Sequence, residues 1–219
     1  MRQPELVVHA DWSMHAGKRW VARALREGNG YRLLAPEPAG AASTLLYRLR
    51  AEAGEAGTVL LGLDFPIGLP LSYALRVGVH DFVALLPELG RGEWADFYRV
   101  AETADEIGLR RPFYPYRPGG TRQRHLLEGL GVARMDDLRR GCELAHGARG
   151  AAAPLFWTLG AQQVGKAAIT GWRDMLAPAL RDGDLPPALW PFQGELGALL
   201  QPGQVVVGET YPAEVYGHL

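Results

Sequence analysis

Cysteine is almost missing from this 219-residue chain, where Cys142 stands alone. A single thiol excludes an internal disulfide and a cysteine-based zinc site. That suits a reducing compartment, so the cytoplasm is the expected location. Lysine is nearly as scarce, occurring only at Lys18 and Lys166, and arginine carries the rest of the basic charge. A dominant charge sign is missing too. Lys plus Arg number 23 and Asp plus Glu 24, a formal net charge of −1. This excludes a histone-like basic protein and an acidic tail protein, while local basic patches remain open. No apolar run reaches the ~18–20 residues of a membrane span, and Met1 to Glu5 lack a secretory pattern. No membrane partner is expected. The six histidines show no zinc-type spacing. Neither a Gly-x4-Gly-Lys-Ser/Thr phosphate loop nor a Gly-x-Ser-x-Gly elbow occurs, which disfavours nucleotide hydrolysis of that kind and serine hydrolysis.

What is present suits a packed globule. Hydrophobic residues make up 47% and charged residues 21% of the chain. At roughly 150 residues per domain, residues 1–219 read as one domain with a large insertion. Glu5 to Asp11 is a short apolar run ending in an acid. Arg19 to Arg26 alternates polar and apolar residues, Gly28-Asn29-Gly30 supplies a turn, and Tyr31 to Ala35 follows. These predict an antiparallel meander of three strands. Leu45, Leu46 and Leu49 share one helical face within Ser43 to Ala53. Thr58 to Leu63 is continuously apolar, as in a strand buried on both faces.

From Asp64 to the next clear strand, Gln204 to Gly208, the pattern is mostly helices and loops. Trp94, Phe97, Tyr98, Ala101 and Ala104 keep a helical period, as do Leu155, Leu159, Ala168, Trp172, Met175 and Leu176. A short helix should follow the last strand. The expected class is α/β with a mixed sheet and a mostly helical insertion at about 71–200.

Three of these strands end in a carboxylate: Asp11, Asp64 and Glu209. In open α/β sheets, ligand sites lie beyond the carboxyl ends of strands. Acids converging there would repel and raise a pKa, and a divalent cation would remove that penalty. Mg²⁺ or Mn²⁺ suits such oxygen donors. One or two ions could assist phosphodiester cleavage. The plainer reading of each acid is a turn or helix cap.

The phrases carrying these acids resemble a known group. They are Ala10-Asp11-Trp12-Ser13, then Leu63-Asp64-Phe65-Pro66-Ile67-Gly68-Leu69-Pro70, then Glu209-Thr210-Tyr211-Pro212-Ala213-Glu214-Val215-Tyr216. Together with Pro154 to Gly160 and Gln163 to Ala167, they resemble an uncharacterised bacterial family of predicted ribonuclease-H-like nucleases. The resemblance spans almost the whole chain. It implies three antiparallel strands, a crossover helix, and a fourth strand beside the first. It also implies that Asp11 and Asp64 sit side by side with Glu209 close by. Two departures stand out. The crossover helix offers only Glu52 and Glu55 as a further acid, and the chain stops at Gly217-His218-Leu219 where relatives continue with a basic segment.

Other residues could serve a phosphate-bearing substrate. Arg110, Arg111, Arg117, Arg122 and Arg124 lie in a stretch without acids, interleaved with Phe113, Tyr114 and Tyr116. Arginines pair with phosphates and aromatics stack on unpaired bases. The same pattern also describes a proline-rich loop whose tyrosines pack on the core. Ser13 could bind a phosphate oxygen or merely cap. Lys166 lies on a polar helical stripe with Gln162, Thr170 and Arg173. Arg139, Arg140 and Glu143 read as a solvated helix face, and Cys142 as a small buried hydrophobe. The expected function is divalent-metal-dependent phosphodiester hydrolysis on a nucleic acid or a phosphorylated small molecule. The alternatives are a small-molecule phosphotransferase of the actin-like or sugar-kinase type acting as a dimer, and a non-catalytic binding protein on the same fold. Oligomeric state is left open.

Overall fold

A computed structural model describes residues 3–147, 149–160, 164–184 and 186–211. The chain divides into two compact units, Met1–Phe65 with Thr170–Leu219, and Pro66–Ile169. The second unit is narrower than the insertion expected at 71–200. The residues after Ile169 return to the first unit because they include sheet strands and the helix beside them.

The first unit begins with β1 (Leu6–Asp11), β2 (Trp20–Glu27), β3 (Gly30–Leu33) and β4 (Glu37–Pro38). Helix α1 (Ala42–Ala53) leads to β5 (Val59–Leu63). The seven-stranded sheet has the order β3-β2-β1-β5-β7-β6, with β4 also paired to β2. Here β6 is Ala188–Leu189 and β7 is Val205–Glu209. Strands β1, β2 and β3 pair antiparallel, whereas β1 with β5, β5 with β7, and β7 with β6 pair parallel. The antiparallel meander, the crossover helix and the placing of β5 beside β1 all match the expected order.

Pleat alternation divides the sheet into two faces. Leu6, Val8 and Ala10 of β1, Val59, Leu61 and Leu63 of β5, and Val205 and Val207 of β7 are buried and aligned in register. Leu45, Leu46 and Leu49 are buried on α1, which packs with β1 and β5. Val7, His9 and Asp11 lie on the other face and are less covered. This period of two decides which strand-end acids can meet.

The second unit is mostly short turns, with α2 (Leu71–Arg76), α3 (Phe82–Leu85) and α4 (Gln123–Leu130). The helical period at Trp94 to Ala104 does not make a helix there. It yields only 3-10 turns at Gly92–Trp94 and Ala104–Glu106. Trp94, Phe97, Tyr98 and Ala101 are core all the same, while Ala104 is exposed. Phe97 makes edge contacts with the rings of Trp94, Tyr98 and Phe113 at 5.3–5.9 Å. Aromatic packing, not helical hydrogen bonding, sets their spacing. Arg140 and Glu143, expected on a solvated face, form a buried pair at 2.8 Å, and Glu143 is only 1% exposed. Arg140 also donates to the Ile67 carbonyl at 2.7 Å, anchoring the Pro66–Pro70 phrase. Cys142 is exposed rather than buried, because it lies on the 3-10 turn Gly141–Glu143 that turns Glu143 inward.

Helix α5 (Val164–Gly171) continues through a π turn at Trp172–Leu176 into α6 (Ala177–Asp182), and α7 (Leu196–Leu199) precedes β7. Leu155 and Leu159 lie before α5, so the expected helix starts later than their spacing suggested. The residues expected to form a helix after β7, 212–219, lie outside the described residues. Among the described residues, no helix is long and apolar enough to cross a membrane.

Candidate functional site

Parallel pairing brings Asp11 and Asp64 together. The β1–β5 ladder ends with Ala10 opposite Leu63, so the next residues in line are Asp11 and Asp64. Their side chains are within hydrogen-bonding reach of each other. Asp11 is exposed and Asp64 half-buried. Burial, more than any other influence, pushes the Asp64 carboxyl up to about 6. The Trp12 backbone N–H pulls it down, while the Asp11 charge and hydrogen bond push it up. The pair is therefore poised to hold a proton or a cation between its oxygens.

The loop after β1 fixes this pair. Trp12 donates its backbone N–H to Asp64 Oδ1 at 2.9 Å. Its indole is buried and donates Nε1–H to Thr170 Oγ1 at 3.1 Å. Phe65 packs beside the indole at 5.9 Å, and the buried Arg19 guanidinium lies over it at 4.6 Å. Arg19 in turn donates to the Ser13 and Met14 carbonyls at 2.6 and 3.1 Å. Gly171 lets the helix approach Phe65, since a Cβ there would lie 2.1 Å from that ring. Trp12 and Arg19 were missed as site residues in the sequence, and Thr170, named there only as part of a polar stripe, is 4% exposed. The signals were the position of Trp12 directly after a strand-end acid and that of Thr170 on the polar stripe.

Glu209 takes a different place in the ladder from the two aspartates. In the β5–β7 ladder, Glu209 pairs with Leu63 and follows Val205 and Val207 on the face that carries the buried core. Asp64 is one residue past Leu63, in the bend that follows β5, so Glu209 is paired with its neighbour and not with Asp64 itself. Thr210 instead follows the face of Gly62 and Asp64. A Cβ on Gly62 would lie 2.5 Å from Thr210 Cγ2. Thr210 Oγ1 is 3.2 Å from Nδ1 of His9, whose pKa burial lowers against the opposing pull of Asp11. Among the described residues, no three His, Cys, Asp or Glu side chains converge on a metal position. Glu52, the acid available on α1, is held by Arg23 at 2.7 Å.

The remaining sequence candidates are more dispersed. Ser13 Oγ accepts the His15 N–H at 3.3 Å, a local turn contact. Arg110 is bonded to Glu93 and lies 3.7 Å from the Trp94 ring centre. Arg111 pairs with Glu106 at 2.9 Å and donates to the Val100 carbonyl at 3.1 Å. Arg117 is 3.7 Å from Glu102. Arg122 and Arg124 are exposed at the start of α4, with no ion pair among the described residues. Phe113 and Tyr114 are buried and Tyr116 is exposed, so two of the three interleaved aromatics are core. Lys166 is half-buried on α5, while Gln162 and the motif residues 212–216 fall outside the described residues. Compared with family models, curated proteins and solved structures, the chain matches none.

Proposed function

We propose that the chain is a divalent-metal-dependent phosphodiester hydrolase of ribonuclease-H-like architecture, centred on Asp11 and Asp64. The observation that carries this reading is the juxtaposition of two carboxylates at the carboxyl ends of adjacent parallel strands, with Asp64 raised to about 6. The sheet order supports the architecture: three antiparallel strands, a crossover helix, and β5 parallel to β1.

The donor set fits one hard cation. Two facing carboxylates supply oxygen ligands, and Mg²⁺ ordinarily binds through one or two carboxylates with waters and substrate phosphates filling the rest. Asp64 Oδ1 is committed to the Trp12 N–H, which leaves Oδ2 for an ion. With Glu209 paired to Leu63 and no third ligating side chain grouped with them among the described residues, Asp11 and Asp64 favour a single ion over the two-ion arrangement. A bound ion would supply Lewis acidity and a more acidic water.

The chain's own residues do the positioning. Trp12, clamped by Thr170, Phe65 and Arg19, holds Asp64 in one orientation. Asp11 keeps the pair open to solvent, as an entering phosphodiester requires. Thr210 bonds His9 beneath Asp11 and keeps that imidazole oriented, while burial favours its neutral form.

The test is cleavage of labelled single- and double-stranded DNA and RNA with Mg²⁺ or Mn²⁺. Wild type should cut at least one of them, and Asp11→Asn and Asp64→Asn should each reduce the rate by a hundredfold or more, on the order seen when a positioned catalytic group is removed. Cleavage that persists in both variants contradicts the assignment.

A further inference from the structure

The antiparallel partner of Asp11 is Trp20. Residues directly opposite in such a pair share a pleat face, with Cβ atoms ~4.5–5.5 Å apart. Trp20 therefore flanks Asp11 on the side away from Asp64. Unlike Trp12 and Trp172, which are buried, Trp20 is 44% exposed. Val21, the next residue, points to the opposite face and is core, so the pleat leaves the indole on the Asp11 face.

The surroundings leave room for a flat group. Along the same face of β2 the next positions are Ala22 and Ala24, opposite His9 and Val7. Neither carries charge or bulk. The indole thus stands at the head of a shallow, uncharged ledge that runs away from the carboxylate pair. Just before β2, Lys18 ends the turn Ala16–Lys18. It is exposed and makes no ion pair among the described residues. A cation beside an exposed aromatic, next to a phosphodiester-directed site, combines the two elements that hold single strands, backbone charge neutralisation and base stacking.

We propose that Trp20 is a stacking platform for an unpaired nucleobase adjoining the phosphodiester held at Asp11 and Asp64, with Lys18 facing a neighbouring phosphate. The substrate is then single-stranded or locally unpaired nucleic acid, because a paired base keeps both π faces inside its own stack. This rests on the hydrolase reading above and adds a substrate class to it.

The experiment uses the full chain with Ca²⁺ in place of Mg²⁺, to separate binding from cutting. A fluorescein-labelled thymidylate oligomer and a duplex of equal length are titrated by anisotropy. Wild type should bind the single strand more tightly. Trp20→Ala should weaken that binding about tenfold or more, the scale of one lost stacked base, while Trp20→Phe keeps most of it. An oligomer carrying 2-aminopurine adds a direct signature. Its fluorescence should be quenched by wild type and Trp20→Phe but not by Trp20→Ala. A purely structural tryptophan would leave both readouts unmoved once thermal melts show the variants folded. Equal affinity of Trp20→Ala and wild type, or a preference for duplex, overturns the proposal. If cleavage is lost in Asp64→Asn while Trp20→Ala binds and cuts like wild type, only the role of Trp20 falls. If wild type neither binds nor cuts any nucleic acid, the hydrolase reading falls with it.

Discussion

Replacing Asp64 by asparagine should make the metal-free protein more stable at neutral pH. The folded state holds this carboxyl at about 6, against an ordinary value of 3.8. Between those values the folded chain keeps a proton that the unfolded chain has released. Stability therefore falls as pH rises through the window, and the penalty is complete above about 6. Moving one carboxyl over that interval costs about 3 kcal/mol. Asparagine is the same size and can still accept the Trp12 N–H through its carbonyl oxygen. Its amide can donate to Asp11, turning a repulsion into a hydrogen bond. Allowing for the amide's own desolvation, a gain of roughly 2 kcal/mol is expected. For a chain of this size that raises Tm by about 4–8 °C. Calorimetric melts in EDTA at about pH 7.5 and about pH 4 measure it, because near the ordinary carboxyl value the advantage should vanish. A gain equal at both pH values, or a loss at the higher one, would refute the argument that Asp64 is strained by burial and by Asp11.

Two further outcomes test the packing around the site and in the second unit. Gly171→Ala places a methyl 2.1 Å from the Phe65 ring, so either the helix or the ring must shift. The expected loss is roughly 1–3 kcal/mol in denaturant unfolding, with weakened metal affinity if Trp12 moves with Phe65. Glu143→Gln leaves the buried Arg140 guanidinium without its counter-charge and should destabilise by roughly 3 kcal/mol. An unchanged urea midpoint would show that the Ile67 carbonyl and other contacts suffice for Arg140.

Much of the sheet was legible because its cause is local. The alternation in Arg19 to Arg26 and the unbroken apolar run into Leu63 each report a strand, and β2 and β5 fall within one residue of those limits. Strands β4 and β6 have two residues each, too few for any periodicity to register. The aromatic spacing from Trp94 onward imitates a helix because buried rings can sit three or four residues apart on successive tight turns. The carboxylates show a deeper limit. That Asp11, Asp64 and Glu209 end strands can be read along the chain. Which face each occupies depends on interstrand register, which is a property of pairs of strands. Glu209 differs from Asp64 by a single step of the ladder, and no pattern along the chain records that step. The same register made Trp20 a neighbour of Asp11, which no spacing within the sequence announces.

Asp11 and Asp64, without Glu209, are proposed to hold one divalent cation. Titration calorimetry with Mn²⁺ at about pH 6, repeated in buffers of different ionisation enthalpy, tests it most directly. One site and release of roughly half a proton are expected, since the Asp64 carboxyl is held at about 6. Binding should be lost in Asp11→Asn and Asp64→Asn and retained in Glu209→Gln. Two sites, or binding that survives in the aspartate variants and disappears in Glu209→Gln, would contradict it.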